Sequence, residues 1–466
     1  MPAQPYRSPR CQNCREKKKG CDYQRPSCGR CIKAKHICKG YQARFQIIHV
    51  DAEPPAPLVV PSAYTKLVPE YRAALWSKFQ ARYLPSTPGF VGDVFSWVSA
   101  MDKTRENTAT IKLAAAALPL ILVGQQQSNR AMLQDGLRSY SRAMNLLARD
   151  IQAHQTPKQM IQSILACVAM QNIELMHTEP ICTNTWLAHT IGICSLMSRT
   201  DPRLFQDELH SIFLLCRTLI TTVALCVGVP TFFMHEPWAS VPFEKVSKDV
   251  HTQLFDVMAQ LPGLLALASQ FGDIDRSSAQ FVTAEVKLIK WHAAVYEGLV
   301  SWHARLDSTW KQTFTRTKSA YWPGSAITFT TAGHANVWIQ YWTALLTLHL
   351  AEARAAPYST YFASCVDVET GAKVAEDICA SEGYLTAPQH GAMSTMFYAV
   401  PLKKVMRFYD AHAMDDEKQM VLEVAIRTTE TGLAITKAII DEIPRDHPVV
   451  RIFEKVVGTI PATVHT

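Results

Sequence analysis

The sequence predicts a mostly α-helical protein in two parts, a small cysteine-rich segment at the N-terminus and a large helical body. Six cysteines lie within the first 38 residues, whereas the other seven are scattered singly through the rest of the chain. Apolar residues recur there at helical spacing, and only 19 glycines among 466 residues argue against a turn-rich β architecture. A chain of this length is expected to form two or three domains.

Composition divides the chain into three segments. Residues 1–45 hold the clustered cysteines, and residues 46–62 form a linker with four prolines, which cannot be helical throughout. Residues 63–460 are predicted to be all-helical, since breakers separate amphipathic stretches and no strict alternation is long enough for a sheet. No heptad pattern follows the cysteines near the linker.

Apolar stripes in the body mark the predicted helices. The first stripe has a period of four residues, and a later one has steps of three and four. The first comprises Tyr71, Leu75, Phe79 and Tyr83, and the later one Leu288, Trp291, Val295, Leu299, Trp302 and Leu306. A further long helix is predicted over 415–443. The apolar segment 212–233 is long enough to span a membrane, but Gly228 and Pro230 interrupt it, which favours a buried core helix and no membrane partner.

Positive charge is confined to the cysteine-rich segment. Residues 1–50 hold twelve Lys and Arg against two acidic residues, a net charge of +10, so residues 51–466 carry −3 of the chain's +7. This distribution predicts a polyanionic partner for the segment. The first ten residues are polar, which predicts an intracellular, reducing compartment where clustered cysteines are more often metal ligands than disulfides. The seven scattered cysteines are interpreted as buried small hydrophobic residues.

The clustered cysteines have the spacing C-x2-C-x6-C-x6-C-x2-C-x6-C. They are Cys11, Cys14, Cys21, Cys28, Cys31 and Cys38. A structural zinc ion takes four ligands in a tetrahedron and is bound well by thiolates. Six sulfurs can close one site and leave two idle, or close two sites if two sulfurs each bridge both ions. The spacing alone permits either arrangement.

Residues 8–41 closely resemble the fungal binuclear zinc-cluster DNA-binding domain. The matching residues run from Cys11-Gln-Asn-Cys14-Arg-Glu-Lys-Lys-Lys-Gly-Cys21 through Arg-Pro-Ser-Cys28-Gly-Arg-Cys31 to Cys38. The resemblance implies two zinc ions per chain, with Cys11 and Cys28 bridging. One ion would be bound by Cys11, Cys14, Cys21 and Cys28, and the other by Cys28, Cys31, Cys38 and Cys11.

The same resemblance implies how double-stranded DNA is bound. A short helix over residues 15–19 would enter the major groove, usually over a CGG triplet, with Lys17 and Lys18 contacting bases. Cationic donors suit the N7 and O6 acceptors of guanine. Other cations are expected to contact phosphates, namely Arg15, Lys19, Arg30, Lys33 and Lys35.

Two segments of the body resemble the regulatory domain of fungal zinc-cluster transcription factors. They are residues 136–147, which contain Tyr140, and residues 186–199, which contain Trp186 and His189. His189 is predicted to be a packed core histidine and not a ligand or a catalytic group.

The sequence as a whole predicts a nuclear, sequence-specific transcription factor of RNA polymerase II genes. The resemblance suggests that it regulates a metabolic or secondary-metabolite gene cluster together with transcription machinery or co-regulators. Either the helical body forms a homodimer or the cysteine-rich segment binds DNA as a monomer. No enzyme signature is present in the sequence, so no catalytic residue is predicted. The alternative is a zinc-dependent protein-interaction cofactor without direct DNA binding.

Overall fold

The protein divides into two compact units in a computed structural model, residues 1–60 and residues 61–466. The structure describes residues 13–14, 17, 19, 21, 28–34, 36, 38, 69–84, 108–152, 156–176, 185–198, 200–207, 209–318, 325–391, 396–430 and 448–458. Within these ranges the secondary structure is helical apart from two short strands, which confirms the mostly helical fold class. The predicted linker, residues 46–62, lies outside the described residues.

The N-terminal unit contains the short helix α1, Gly29–Lys33. Cys28 caps this helix, because its Sγ accepts a hydrogen bond from the backbone N–H of Cys31 at 3.3 Å. A helical turn also lies earlier in the unit, where the backbone N–H of Lys17 donates to the carbonyl of Asn13 at 3.1 Å. Both turns begin at or beside a cysteine, so local backbone geometry positions the thiols.

The first half of the helical body is a set of long helices. They are α2 (Pro69–Tyr83), α3 (Ala109–Gln126), α4 (Arg130–Gln152), α5 (Pro157–Met176), α6 (Thr185–Met197) and α7 (His210–Val227). Helix α3 packs along α4 and α5, and α5 packs against α6. In the predicted stripe on α2, Leu75, Phe79 and Tyr83 are buried, whereas Tyr71 in the first turn is exposed.

Helices α3 and α4 approach closely at Gly136. A Cβ added there would stand 2.6 Å from Ile121 Cγ1 and 2.9 Å from the backbone nitrogen of Ile121. Any larger residue would therefore collide with the backbone of α3, which cannot rotate away as a side chain can. This glycine sets the distance between the two helices.

The second half of the body is built around one buried helix. Its elements are α8 (Glu236–Ser240), α9 (Val250–Met258), α10 (Leu261–Phe271), α11 (Ala279–Arg305), α12 (Ser308–Lys311), β1 (Phe314–Thr317), β2 (Ala326–Phe329), α13 (Ala332–Ala355), α14 (Thr360–Cys365), α15 (Val368–Ala380), α16 (Glu382–Leu385), α17 (Met396–Ala411), α18 (Asp415–Glu430) and α19 (Pro448–Gly458). Helix α13 is the central one, packing against α10, α15 and α17. The helix predicted over 415–443 is α18 as far as Glu430, and 431–447 lie outside the described residues.

Side-chain caps define where several of these helices begin. Ser278 precedes α11, and its hydroxyl accepts a hydrogen bond from the backbone N–H of Phe281 at 3.1 Å. At the start of α13 the hydroxyl of Thr331 accepts a hydrogen bond from the backbone N–H of His334 at 3.1 Å. These bonds satisfy N–H groups that the first turn of a helix otherwise leaves without a partner.

Sequence periodicity did not predict the hairpin of β1 and β2. The strands pair antiparallel from Phe314 opposite Phe329 to Thr317 opposite Ala326. Each strand has only four residues, which is too short for an alternating pattern to be distinguished. Phe329 is buried, and Arg316 forms an ion pair with Asp377 on α15, so the hairpin covers one side of the helical core.

The apolar segment 212–233 folds mainly as α7 and lies in the core. Its one charged residue, Arg217, is 1% exposed and pairs with Asp256. The helix ends at Gly228, which has a φ of 71° that glycine adopts without strain. Among the described residues, three helical stretches are long and apolar enough to cross a membrane, namely 109–126, 210–227 and 250–271, and 67–78% of each is buried inside the protein.

The scattered cysteines of the body are mostly buried, in line with their interpretation as small hydrophobic residues. Five of the six described ones are buried and Cys365 is half-buried. Burial raises the pKa of the Cys167 thiol to about 12, so this side chain stays protonated and unreactive. Cys182 lies outside the described residues.

Candidate zinc centre and nucleic-acid interface

The thiols of the N-terminal unit form its core. Cys14, Cys28 and Cys31 are each less than 5% exposed, and their sulfurs all lie within 4.8 Å of one another. Cys14 Sγ and Cys28 Sγ are 3.7 Å apart. Cys21 and Cys38 are half-buried and pack against these three. The structure thus brings together five of the six predicted ligands, and Cys11 lies outside the described residues.

The sulfur separations fit a tetrahedral zinc site. Zn–S bonds of about 2.3 Å at tetrahedral angles place two sulfurs about 3.8 Å apart, close to the separation of Cys14 and Cys28. A disulfide would require a separation of about 2.05 Å. Cys28 also lies near Cys31, from which it accepts a backbone hydrogen bond. Such a bond stabilises a thiolate and orients it toward a metal.

Four of the predicted DNA-contacting cations are described, and all of them are exposed. Lys17 lies in the turn that begins at Asn13, Lys19 follows this turn with its backbone N–H donating to the carbonyl of Cys14 at 2.8 Å, and Arg30 and Lys33 lie on α1. Buried sulfurs and exposed cations therefore lie close together along the same short segments. Arg15, Lys18 and Lys35 lie outside the described residues.

A sequence comparison identifies this unit. The family model of the fungal Zn(2)-Cys(6) binuclear cluster domain matches residues 10–46. The N-terminal unit is a fungal zinc-cluster domain. The protein thus binds zinc and DNA and regulates transcription, since this family consists of DNA-binding transcription factors that are in general nuclear. No curated protein and no solved structure matches the chain.

The match to the zinc-cluster family ends at residue 46, so the resemblance of the body to a regulatory domain stays a prediction. Its two predicted segments nevertheless meet in the structure. Tyr140 on α4 lies 3.1 Å from His189 Nε2 on α6, and its hydroxyl donates to Glu174 on α5. Burial lowers the pKa of His189 to about 4, so the ring is neutral at pH 7. The residues form a buried polar contact between three helices, and His189 is packed in the core as predicted.

A second buried polar cluster was not predicted from the sequence. His292 on α11 lies 2.7 Å from one oxygen of Glu352 on α13, and His349 lies 3.1 Å from the other oxygen. Burial alone would raise the pKa of Glu352, but the hydrogen bonds from both histidines hold it below its usual value. The hydroxyl of Tyr361 on α14 is 3.3 Å from His292 Nδ1. These contacts fix the inner face of α11 against α13. No sequence signal could have found them, because 60 residues separate His292 from Glu352.

Proposed function

We propose that the zinc-cluster domain binds two zinc ions and reads CGG-type half-sites in the major groove. Cys11, Cys14, Cys21, Cys28, Cys31 and Cys38 would bind the ions, with Cys11 and Cys28 bridging. The packing of the Cys14, Cys28 and Cys31 sulfurs in segments that also carry exposed cations supports this proposal. Cys28 is suited to a bridging role because its sulfur lies near those of both Cys14 and Cys31.

Within this proposal, two groups of cations have different tasks. Lys17 and Lys18 would contact guanine edges, whereas Arg15, Lys19, Arg30, Lys33 and Lys35 would contact phosphates. The helical turn that begins at Asn13 supports a base-contacting role for Lys17, which it presents to solvent. Arg30 and Lys33 on α1 are exposed as phosphate contacts require. Phosphate contacts fix the register on the duplex, and base contacts give sequence preference.

The helical body would regulate this activity and join two chains into a homodimer. Target genes in a metabolic or secondary-metabolite cluster, a nuclear location and contacts with co-regulators complete the proposal. A homodimer would place two zinc-cluster domains on two half-sites, which is the common way for a small DNA-reading unit to gain affinity.

Paired substitutions within the domain test the division of labour. We expect the Lys17→Ala/Lys18→Ala variant to lose its preference for a CGG site over a scrambled site, by about 10- to 100-fold, since a good base contact contributes about 1–3 kcal/mol. The matched control Arg30→Ala/Lys33→Ala should weaken binding to both sites equally and lower the salt slope by about 2. Fluorescence anisotropy across a salt series measures both quantities.

Two results would contradict the proposal. An unchanged preference for CGG after removal of Lys17 and Lys18 would assign base contacts to other residues. An unchanged affinity and salt slope in both variants would favour the alternative, a zinc-dependent protein-interaction cofactor without direct DNA binding.

A further inference from the structure

One flank of α11 exposes an unusual set of apolar side chains. The helix has 27 residues, and its inner face is buried through Phe281, Leu288, Val295, Leu299 and Trp302. Four large apolar side chains on a neighbouring flank are exposed, namely Val282 by 58%, Val286 by 47%, Tyr296 by 53% and Val300 by 48%. Single exposed apolar residues are common, but an aligned set on one helix is typical of an interaction surface.

The spacing of this flank is that of a coiled-coil seam. With the half-buried Ile289 and Ala293, the residues follow one another at steps of four, three, four, three and four. We define the α11 seam as Val282, Val286, Ile289, Ala293, Tyr296 and Val300. In heptad terms Val286, Ala293 and Val300 are at a, and the others are at d. The seam extends over about 27 Å, and the body already holds it helical, so pairing requires no helix nucleation.

We propose that the α11 seam is the homodimer interface, pairing antiparallel with the seam of a second copy of this chain. The proposal deepens the homodimer proposed above, and it does not depend on which DNA sequence the zinc-cluster domain reads. A second copy is favoured because the seam is complementary to itself. In the antiparallel register that places each Ala293 opposite Tyr296 of the second copy, a small side chain faces a large one in two symmetric layers, and Ile289 faces Val300 in two more. Val282 and Val286 extend the apolar flank beyond these four layers.

Charge supports the same register. Lys290 and Glu297 are exposed and each follows a d residue, which places both at e positions on the solvent side of the seam. Antiparallel pairing brings e opposite e, so Lys290 of each chain faces Glu297 of the other. Parallel pairing would bring e opposite g, where Glu285 is half-buried and His292 and Leu299 are buried, so Lys290 would find a carboxylate but Glu297 would face the buried His292. Antiparallel pairing gives both Lys290 and Glu297 a partner of opposite charge, which favours helices that run in opposite directions.

Sedimentation of the full-length zinc-loaded protein without DNA tests the interface. The wild-type protein should associate to a dimer, and Tyr296→Glu/Val300→Glu should weaken this association by at least about 100-fold, since each glutamate would be buried in a paired layer without a partner. Ala294→Glu/Ser301→Glu is the matched control, because it adds the same charge to exposed positions on the other flank of α11. All four sites are exposed, so far-ultraviolet circular dichroism should show the same helicity in every variant.

Charge reversal tests the register. Lys290→Glu and Glu297→Lys should each weaken the dimer by about 5- to 30-fold at low salt, because each creates two like-charged pairs. The double variant Lys290→Glu/Glu297→Lys should restore wild-type association to within about twofold. A monomeric wild-type protein, equal disruption by the control, or a failure of the double variant to recover would each overturn the proposal. Affinity for a single half-site tests the zinc-cluster domain separately, so either proposal can fail alone.

Discussion

The zinc-cluster unit and the helical body differ in what fills their centres. Cysteine sulfurs form the core of the first, whereas Leu, Ile, Phe and Trp side chains form one continuous core in the second. A unit of this size cannot bury enough apolar surface to fold alone, so its stability has to come from metal–thiolate bonds. The body has ample apolar surface and is stabilised by burial. Removal of metal should therefore destabilise the zinc-cluster unit and leave the body folded, whereas changes in packing should affect the stability of the body.

Removal of zinc should give the largest effect and should act on one unit only. Chelation is expected to abolish DNA binding, because structural zinc sites contribute about 10 kcal/mol or more to folding. The helicity and the thermal midpoint of the body should remain. Metal analysis before chelation should find about two zinc ions per chain, and one ion would contradict the bridged cluster.

Two cysteine substitutions distinguish the loss of zinc ligands from the loss of a thiol elsewhere in the chain. Cys28→Ser should act like chelation, since Cys28 is buried among the other sulfurs. Cys365→Ser, at a half-buried thiol of the body, should leave zinc content and DNA affinity unchanged. Retained DNA binding by the Cys28→Ser protein would show that the sulfur core is dispensable.

Acid should weaken the body through its buried histidines. Burial lowers the pKa of His189 to about 4, below the value of about 6.5 expected in the unfolded chain. Between these values the unfolded state binds the additional proton, so this contribution to stability is present above pH 6.5 and is lost as the pH falls toward 4. The contribution of His189 to the free energy of unfolding should fall by about 2 kcal/mol between pH 7 and pH 5, measured by denaturant unfolding of the wild type and a His189 variant at both pH values.

Replacing the histidine tests that assignment. His189→Gln should be less stable at pH 7 because the contact with Tyr140 changes, but its stability should fall less steeply with acid. A residual slope should remain, since burial also lowers the pKa of His251 to about 4. His36→Gln, at an exposed position of the zinc-cluster unit, is the control and should leave the slope unchanged. Equal slopes in His189→Gln and the wild type would contradict the assignment.

Sequence reasoning was most informative where a metal sets the spacing. Thiolates must reach an ion at a fixed bond length, so the intervals between cysteines carry the geometry directly. Helices of the body were also predictable, since Leu75, Phe79 and Tyr83 lie at helical spacing and are buried together.

Contacts between distant segments were not predictable from periodicity. The β1–β2 hairpin, the Tyr140–His189 contact and the His292–Glu352 pair each join residues whose proximity depends on the tertiary fold. The α11 seam was missed for a related reason. Its residues share the helix with the buried stripe, and only the structure shows which apolar flank is covered and which is exposed.

Packing of the body should be sensitive to single methyl groups where helices approach closely. Gly136→Ala places a Cβ 2.9 Å from the backbone nitrogen of Ile121, so α3 and α4 must move apart. We expect a loss of about 1–3 kcal/mol, despite the higher helix propensity of alanine. Gly383→Ala is the matched control, because no atom lies within 4 Å of its added Cβ, and it should stabilise the body by about 0.5 kcal/mol. Thermal unfolding of the two variants should shift in opposite directions while zinc content stays constant. Equal shifts would mean that α3 and α4 are loosely packed at this point. The claim that close packing stabilises the helical body, in contrast to the metal-stabilised zinc-cluster unit, would then be wrong.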